Sequence, residues 1–231
     1  MNNQNVTDEN FEKWNDEMGE KYNPGLCHGS SSLLIRFVEW LRVRAILKYL
    51  DAQDGEKILD VGCGVGSILK EVRKGELTGL DLSSRFLEEA KKELRGRARF
   101  VKGNAEDMAK LFPNAAFDKI FTSEVIEHVL HPDRVVAEMH KLVSPQGTVI
   151  ISIPHESLIK AVKKVLMAFG LFKLLVPRHK ATTETYEWHL HDFDLNMLKE
   201  IVKDKFSIEK VKAIPFFFVP LRYVIKLKPI K

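Results

Sequence analysis

Ile58-Leu59-Asp60-Val61-Gly62-Cys63-Gly64-Val65-Gly66-Ser67 decides the fold of this chain. Ile58, Leu59 and Val61 form the apolar run of a strand covered on both faces. The three glycines that follow let the backbone turn sharply and let a ligand lie against it with no Cβ in between. A helix is expected next, over 67–73, with its N-terminal amides pointing at that ligand. Leu77-Thr78-Gly79-Leu80-Asp81 reads as a second short apolar strand ending in a carboxylate. A carboxylate there can accept both hydroxyls of a ribose. The two stretches together predict a nucleoside-containing cofactor.

Strands and helices alternate outward from this point. Helices are expected over 83–94 and 132–142, and strands over 98–101, 117–122 and 147–153. That alternation predicts a parallel sheet with right-handed crossovers and a ligand at the carboxyl ends of its strands. Two more strands are expected at 206–215 and 221–228, after a helix over 195–203 capped by Asp194. On the N-terminal side, Phe11, Trp14, Met18 and Tyr22 recur every three or four residues, the pattern of a short amphipathic helix. Asn23-Pro24-Gly25 is a turn. A helix over 33–50 follows, N-capped from Ser30, Ser31 or Ser32, with Arg36, Arg42 and Arg44 expected on a solvated face.

The composition bounds the function classes. The chain has 231 residues, 45% apolar and 29% charged, the balance of one globular domain with ample core. A net charge of +4 does not by itself call for nucleic acid. Of the two cysteines, Cys63 lies inside the glycine turn, which argues against a structural disulfide and for a reducing, cytoplasmic location. The polar start Met1-Asn2-Asn3-Gln4-Asn5 carries no signal-peptide pattern, and no 18-residue apolar run offers a membrane span.

The glycine spacing narrows the cofactor. Dinucleotide sites use G-x-G-x-x-G; here Gly62, Gly64 and Gly66 give D-x-G-x-G-x-G, with Ser67 in the place of the third dinucleotide glycine. This pattern resembles motif I of the class I S-adenosylmethionine-dependent methyltransferases. The resemblance continues in order along 57–153. Gly79-Leu80-Asp81-Leu82-Ser83 is similar to the second motif, and Gly103-Asn104-Ala105-Glu106-Asp107 to the third, with Asn104 where Asp is usual. Phe117 through Val129, containing Glu124-Val125-Ile126-Glu127-His128, is similar to the fourth, and Leu142-Val143-Ser144-Pro145-Gln146-Gly147-Thr148-Val149-Ile150 to the strand that follows. The group it most resembles is the methyltransferase type 11 or ubiquinone-biosynthesis O-methyltransferase-like one.

That resemblance implies an α/β fold: a doubly wound, mostly parallel seven-stranded sheet whose last two strands pair antiparallel at the edge. It implies a single domain over 1–231, with 1–30 as a lid-like segment and 155–192 as a helical insertion over the acceptor site, after the fifth strand. The implied cofactor is S-adenosylmethionine. Gly62, Cys63 through its backbone, Gly64 and Gly66 are then expected against its methionine part, and Asp60 brackets the turn. Asp81 is expected on the ribose and Leu82 against the adenine. Asn104, Ala105 and Glu106 frame the adenine edge, and Ser123 passes beside the sulfonium.

Methyl transfer from a sulfonium is an in-line displacement, so alignment does most of the work and a base is needed only where the acceptor loses a proton. His128 and Glu127 are the expected catalytic groups. On a helix, Glu124, Glu127 and His128 share one face. With His189 or His191 they can form a divalent-metal site, as in the metal-linked branches that E-x-x-E-H resembles. The preferred reading assigns no metal and pairs Glu124 with His128 instead. His155 is a further candidate for the same pocket.

Residues 157–180 contain no Asp or Glu but carry Lys160, Lys163, Lys164, Lys173, Arg178 and Lys180. Leu158, Val162, Val165, Leu166, Phe169 and Phe172 form an apolar stripe along an expected helix over 156–176. An apolar face with a basic rim suits an anionic membrane surface. The function expected is therefore methyl transfer to a small-molecule acceptor, at an oxygen of a quinone-like or lipid-linked compound. An RNA 2′-O-methyltransferase is the first alternative, disfavoured because no separate RNA-binding motif is present. A non-catalytic membrane adaptor is the second, disfavoured by the intact cofactor motifs. The glycine spacing sets aside a nicotinamide dehydrogenase.

Overall fold

The computed structural model describes residues 6–22, 32–113, 116–170 and 188–230. In chain order the main elements are α1 (Phe11–Tyr22), α2 (Leu33–Leu50), β1 (Lys57–Val61), β2 (Glu76–Asp81), α3 (Ser84–Leu94), β3 (Ala98–Lys102), β4 (Phe117–Ser123), α4 (Pro132–Leu142), β5 (Val143–Pro154), α5 (Glu156–Ala168), α6 (Leu195–Val202), β6 (Phe206–Phe216) and β7 (Val219–Pro229). One sheet holds all seven strands in the order β3-β2-β1-β4-β5-β7-β6. The first five are parallel, and β7 runs antiparallel to both β5 and β6. This is the expected doubly wound sheet, with its antiparallel pair at one edge.

The strands alternate their side chains between two cores, as a sheet covered on both faces must. Leu59, Val61, Ile120, Val149 and Ile151 pack with Val135, Val136 and Met139 of α4 and with Leu198 and Val202 of α6. Ile58, Phe121, Ile150 and Val224 pack on the opposite face with Ile46 and Leu50 of α2 and Leu87 and Leu94 of α3. A smaller third cluster seats α1: Phe11, Trp14 and Met18 pack near Leu82, Leu130, Trp188 and Leu190.

Two expected elements differ. The helix expected over 67–73 is a single 3-10 turn, Leu69–Glu71. Between Gly66, still in the left-handed region at φ +76, and β2 beginning at Glu76, the chain has room for little more. The anion-binding helix N-terminus expected there is therefore not supplied. The insertion helix ends at Ala168, followed by Gly170 at φ +67. Phe172, Lys173, Arg178 and Lys180 lie outside the described residues, as do 1–5 and 23–30 of the expected lid.

Candidate active site

The crossing from β1 into the glycine turn is held by the neighbouring strand. Leu80 O accepts from Gly62 N at 2.8 Å and from Cys63 N at 2.9 Å. Gly62 sits at φ +73, and a Cβ there would come within 2.4 Å of Val125 Cγ2, so only glycine fits. Asp81 closes the arrangement from the end of β2: Oδ2 accepts from Gly64 N at 2.7 Å and Oδ1 from Ser83 N at 2.9 Å. Burial pushes the Asp81 carboxyl up, and these two amides oppose that shift. Asp60 lies beneath, 3% exposed. Burial and the Asp81 charge push its carboxyl well up, against Arg42. Burial likewise raises the Cys63 thiol, which favours its neutral form.

A cavity of about 490 Å³ opens at the carboxyl ends of the strands, within the size range of small-ligand sites. Asp60, Gly62, Cys63, Gly64, Asp81 and Leu82 line one arm, with Asn104, Ala105 and Ser123. Glu127 and His128 line its floor, and Ile35, Val38, Ile159, Val162 and Leu166 an apolar arm. Two expected site residues lie elsewhere. Gly66 faces α3, where a Cβ would meet Leu94 Cδ1 at 2.7 Å, so its glycine is required by packing. Glu106 is spent on the chain: its Oε1 accepts from Leu130 N at 2.8 Å and His131 N at 3.1 Å. Asn104 Oδ1 accepts from Glu106 N at 2.9 Å and so shapes the turn it begins.

Arg42 was expected on a solvated face and is instead 6% exposed. It donates to Ser123 Oγ and to Glu39 Oε2. Glu39 also lies 3.3 Å from Arg222 Nη2, and Arg222 Nε donates to Glu124 Oε2 at 2.8 Å. Two guanidinium groups and two carboxylates thus line the cavity wall between α2, β4 and β7. The one local signal for this cluster is the Glu39-x-x-Arg42 spacing, which puts both groups on one helix face.

The condition for Glu124, Glu127 and His128 to share one helix face is not met: residues 124–130 form turns, not a helix. Glu124 adopts φ +55 at the end of β4. Its amide donates to Ser152 O at 3.1 Å, and its carboxylate takes Ser152 Oγ and Arg222. Those bonds turn the chain aside before a helical ladder can start. Glu124 is therefore paired with Arg222, not with His128. The group beside Glu127 and His128 is His189: one ligand atom from each lies within 4.8 Å of the others. Glu127 is fully buried, and neither carboxylate oxygen has a hydrogen-bond partner. Burial and the Glu124 charge push its carboxyl well up. Burial and neighbouring His189 push the His128 imidazole down to about 3. His128 Nδ1 lies 3.0 Å from Trp188 O; donation there leaves Nε2 with a free lone pair. His189 Nδ1 is 2.7 Å from Glu156 Oε1. His155 and His191 do not line the cavity: they face Pro220 O at 3.1 Å and Val129 O at 2.9 Å.

Residues 59–151 match the family described as "Methyltransferase domain". The ubiquinone biosynthesis O-methyltransferase of Photobacterium profundum is 33% identical over 141 residues, 58% of this chain and 59% of that one. Its counterpart in Thiobacillus denitrificans is 35% identical over 144 residues, 60% of this chain and 59% of that one. The match thus spans under two thirds of these relatives' length. The crystal structure of magnesium protoporphyrin IX methyltransferase from Synechocystis PCC 6803 with bound SAH aligns over 95% of this chain and 96% of that one, with a TM-score of 0.64. At 16% identity that likeness is one of fold. Residues 59–151 thus match the methyltransferase-domain family, and the chain shares the fold of the Synechocystis magnesium protoporphyrin IX methyltransferase.

Proposed function

We propose that the protein transfers the methyl group of S-adenosylmethionine to an oxygen of an apolar small molecule, quinone-like or lipid-linked. The observation that carries this is the continuity of one cavity from the glycine turn and Asp81, past His128, to the apolar wall of α2 and α5. Asp81, with lone pairs beyond its two backbone bonds, takes the ribose hydroxyls, and Leu82, Asn104 and Ala105 take the adenine. Gly62, Cys63 and Gly64 lie along the methionine part, with Arg42 and Ser123 beside them and Arg42 opposite its carboxylate. Asp60 braces the turn from below. The acceptor hydroxyl binds with its proton toward His128 Nε2. Its oxygen attacks the methyl carbon as the carbon–sulfur bond breaks, and the sulfonium leaves as a neutral thioether. The oxygen's proton passes to His128; an alkylated oxygen still carrying its proton is acidic enough for a weakly basic imidazole to take it. A screen of quinone-precursor, lipid and RNA acceptors with labelled cofactor tests this reading. Transfer to RNA alone would overturn it.

A second reading concerns Glu127, whose two buried oxygens lack partners. Buried carboxylates are normally paired or bound to metal. Glu127, His128 and His189 fit the donor set of a catalytic divalent metal with open positions. With Glu124 taken by Arg222, the ion pair that argued for metal-free turnover is gone. A cation held there would ionise Glu127 and lower the pKa of the acceptor hydroxyl. Chelation with EDTA is then expected to suppress turnover, and zinc, manganese or magnesium to restore it. Glu127→Gln should abolish the metal response and leave affinity for S-adenosylhomocysteine unchanged. Turnover indifferent to EDTA would leave His128 as the sole proton acceptor.

The insertion helix α5 supports a membrane contact. Val162 and Leu166 line the cavity, while Val165 and Phe169 are 55% and 75% exposed. Lys163→Glu with Lys164→Glu should weaken binding to anionic liposomes at low salt; each basic residue near such a surface contributes about 1 kcal/mol. Lys160 is spared because it pairs with Glu156 and Asp192. Among the described residues no helix is long and apolar enough to cross a membrane.

A further inference from the structure

The hairpin joining β6 and β7 carries three consecutive phenylalanines in the open. Phe216, Phe217 and Phe218 are 50%, 86% and 67% exposed. Phe216 and Phe218 stack at 5.3 Å, and Phe217 meets Phe218 edge-on, so the tip is an ordered aromatic knob. Pro154, the last residue of β5, pairs with Arg222. The hairpin therefore runs on past the carboxyl end of the sheet, on the side where the cavity opens.

A second apolar surface stands beside it. The first turns of α2 line the cavity with Leu34, Ile35 and Val38. Their outer side leaves Leu33 77%, Phe37 45% and Trp40 51% exposed. Phe37 and Trp40 stack at 6.2 Å, and the Arg44 guanidinium lies 5.0 Å above the Trp40 ring. The outer residues of α5 complete the rim. Bonds at the cavity mouth fix these three pieces together. His155 N donates to Leu221 O at 2.9 Å, tying the start of α5 to the hairpin. Glu39 ties α2 to Arg222 in the same way.

The exposed charges carried by the two helices of this rim are basic, and the acidic Asp192 beside α5 is paired with Lys160. The acidic residues of α2 and α5 are Glu39 and Glu156, both buried. The exposed charges on those helices include Arg36, Arg44, Lys48 and Lys164. Clustered aromatic and aliphatic side chains ringed by cations match the boundary between lipid headgroups and acyl chains. Clusters of exposed apolar side chains of this kind mark an interaction site.

We propose that the hairpin tip Phe216–Phe218 and the outer face of α2 insert together into an anionic bilayer, with the cavity mouth turned to the lipid. An acceptor with an apolar tail then enters from the bilayer through the apolar arm, without crossing water. This extends the apolar-acceptor reading, but the membrane contact stands on surface chemistry alone. It also shifts the main anchor away from the lysines of α5: the aromatic residues should hold in salt that releases those lysines.

The test is flotation of the whole protein with vesicles of phosphatidylcholine containing phosphatidylglycerol, at low and high salt. Wild type should float and keep a salt-resistant fraction. Phe217→Ser with Phe218→Ser should lower the partition coefficient by about tenfold or more, since each phenylalanine buried is worth more than a kcal/mol. Both residues lie on the surface, so the variant's affinity for S-adenosylhomocysteine should match wild type, showing that it is folded. Brominated lipids should quench Trp40 fluorescence, and the quenching should vanish in Trp40→Leu. Flotation of the double variant equal to wild type would overturn the proposal. So would a concentration-dependent dimer, lost in the double variant, with no vesicle binding: the knob would then meet a second copy. Loss of methyl transfer with flotation intact would count against the acceptor reading and leave the membrane site standing.

Discussion

Glu39→Ala should destabilise the protein by about 3–5 kcal/mol, the cost of removing one partner from a buried ion pair. Glu39 is 6% exposed and holds two cations, Arg42 through one oxygen and Arg222 through the other. Without it, two guanidinium groups face each other across the cavity wall, and Arg42 already has an Nε with no partner. Ser123 and Glu124 remain as acceptors, but Ser123 is neutral. Urea unfolding checks the expectation. A loss under about 1 kcal/mol, the range of exposed pairs, would mean that water screens the cluster. Because Arg42 lies beside the expected methionine end, the variant should also bind S-adenosylhomocysteine more weakly than its lost stability explains.

Asp81→Ala should weaken S-adenosylhomocysteine by about 1.5–3 kcal/mol, roughly ten- to two-hundredfold, the range for hydrogen bonds to a charged group. The carboxylate has two tasks. It accepts from Gly64 N and Ser83 N, which fixes the glycine turn, and its remaining lone pairs face the cavity. Asp81→Asn separates them. An amide oxygen can still accept one backbone bond, so Asn should recover more stability than affinity. Calorimetry and thermal unfolding on both variants give the two numbers. Equal losses of affinity and stability in Asn and Ala would show that Asp81 only shapes the turn.

Most of the fold could be read from local signals. The apolar runs, the glycine turn and Asp81 specify their own neighbourhoods, and the βα alternation gives the parallel sheet, while the order of its strands comes from the structure. The misreadings share a cause: a partner distant in sequence decided the outcome. Glu124 looked like a partner of His128 from their spacing, yet Arg222, 98 residues on, and Ser152 hold it at a left-handed turn. Glu106 looked like an adenine contact and is instead consumed by the amides of Leu130 and His131. Arg42 looked solvated because α2 is apolar on nearly every side, which leaves its buried face unmarked. His189 could not be set above His155 or His191 until the chain brought it to His128, at a ring separation of 4.7 Å. The short turn at Leu69–Glu71 is a matter of length: a full helix does not fit between the third glycine and the next strand.

The central claim is that the glycine turn and Asp81 hold S-adenosylmethionine. Titration calorimetry of the purified protein with S-adenosylhomocysteine, and separately with NAD, tests it most directly. The account predicts one S-adenosylhomocysteine site per chain, lost or much weakened in Asp81→Ala, and no binding of NAD. Tight binding of NAD with none of S-adenosylhomocysteine would contradict it.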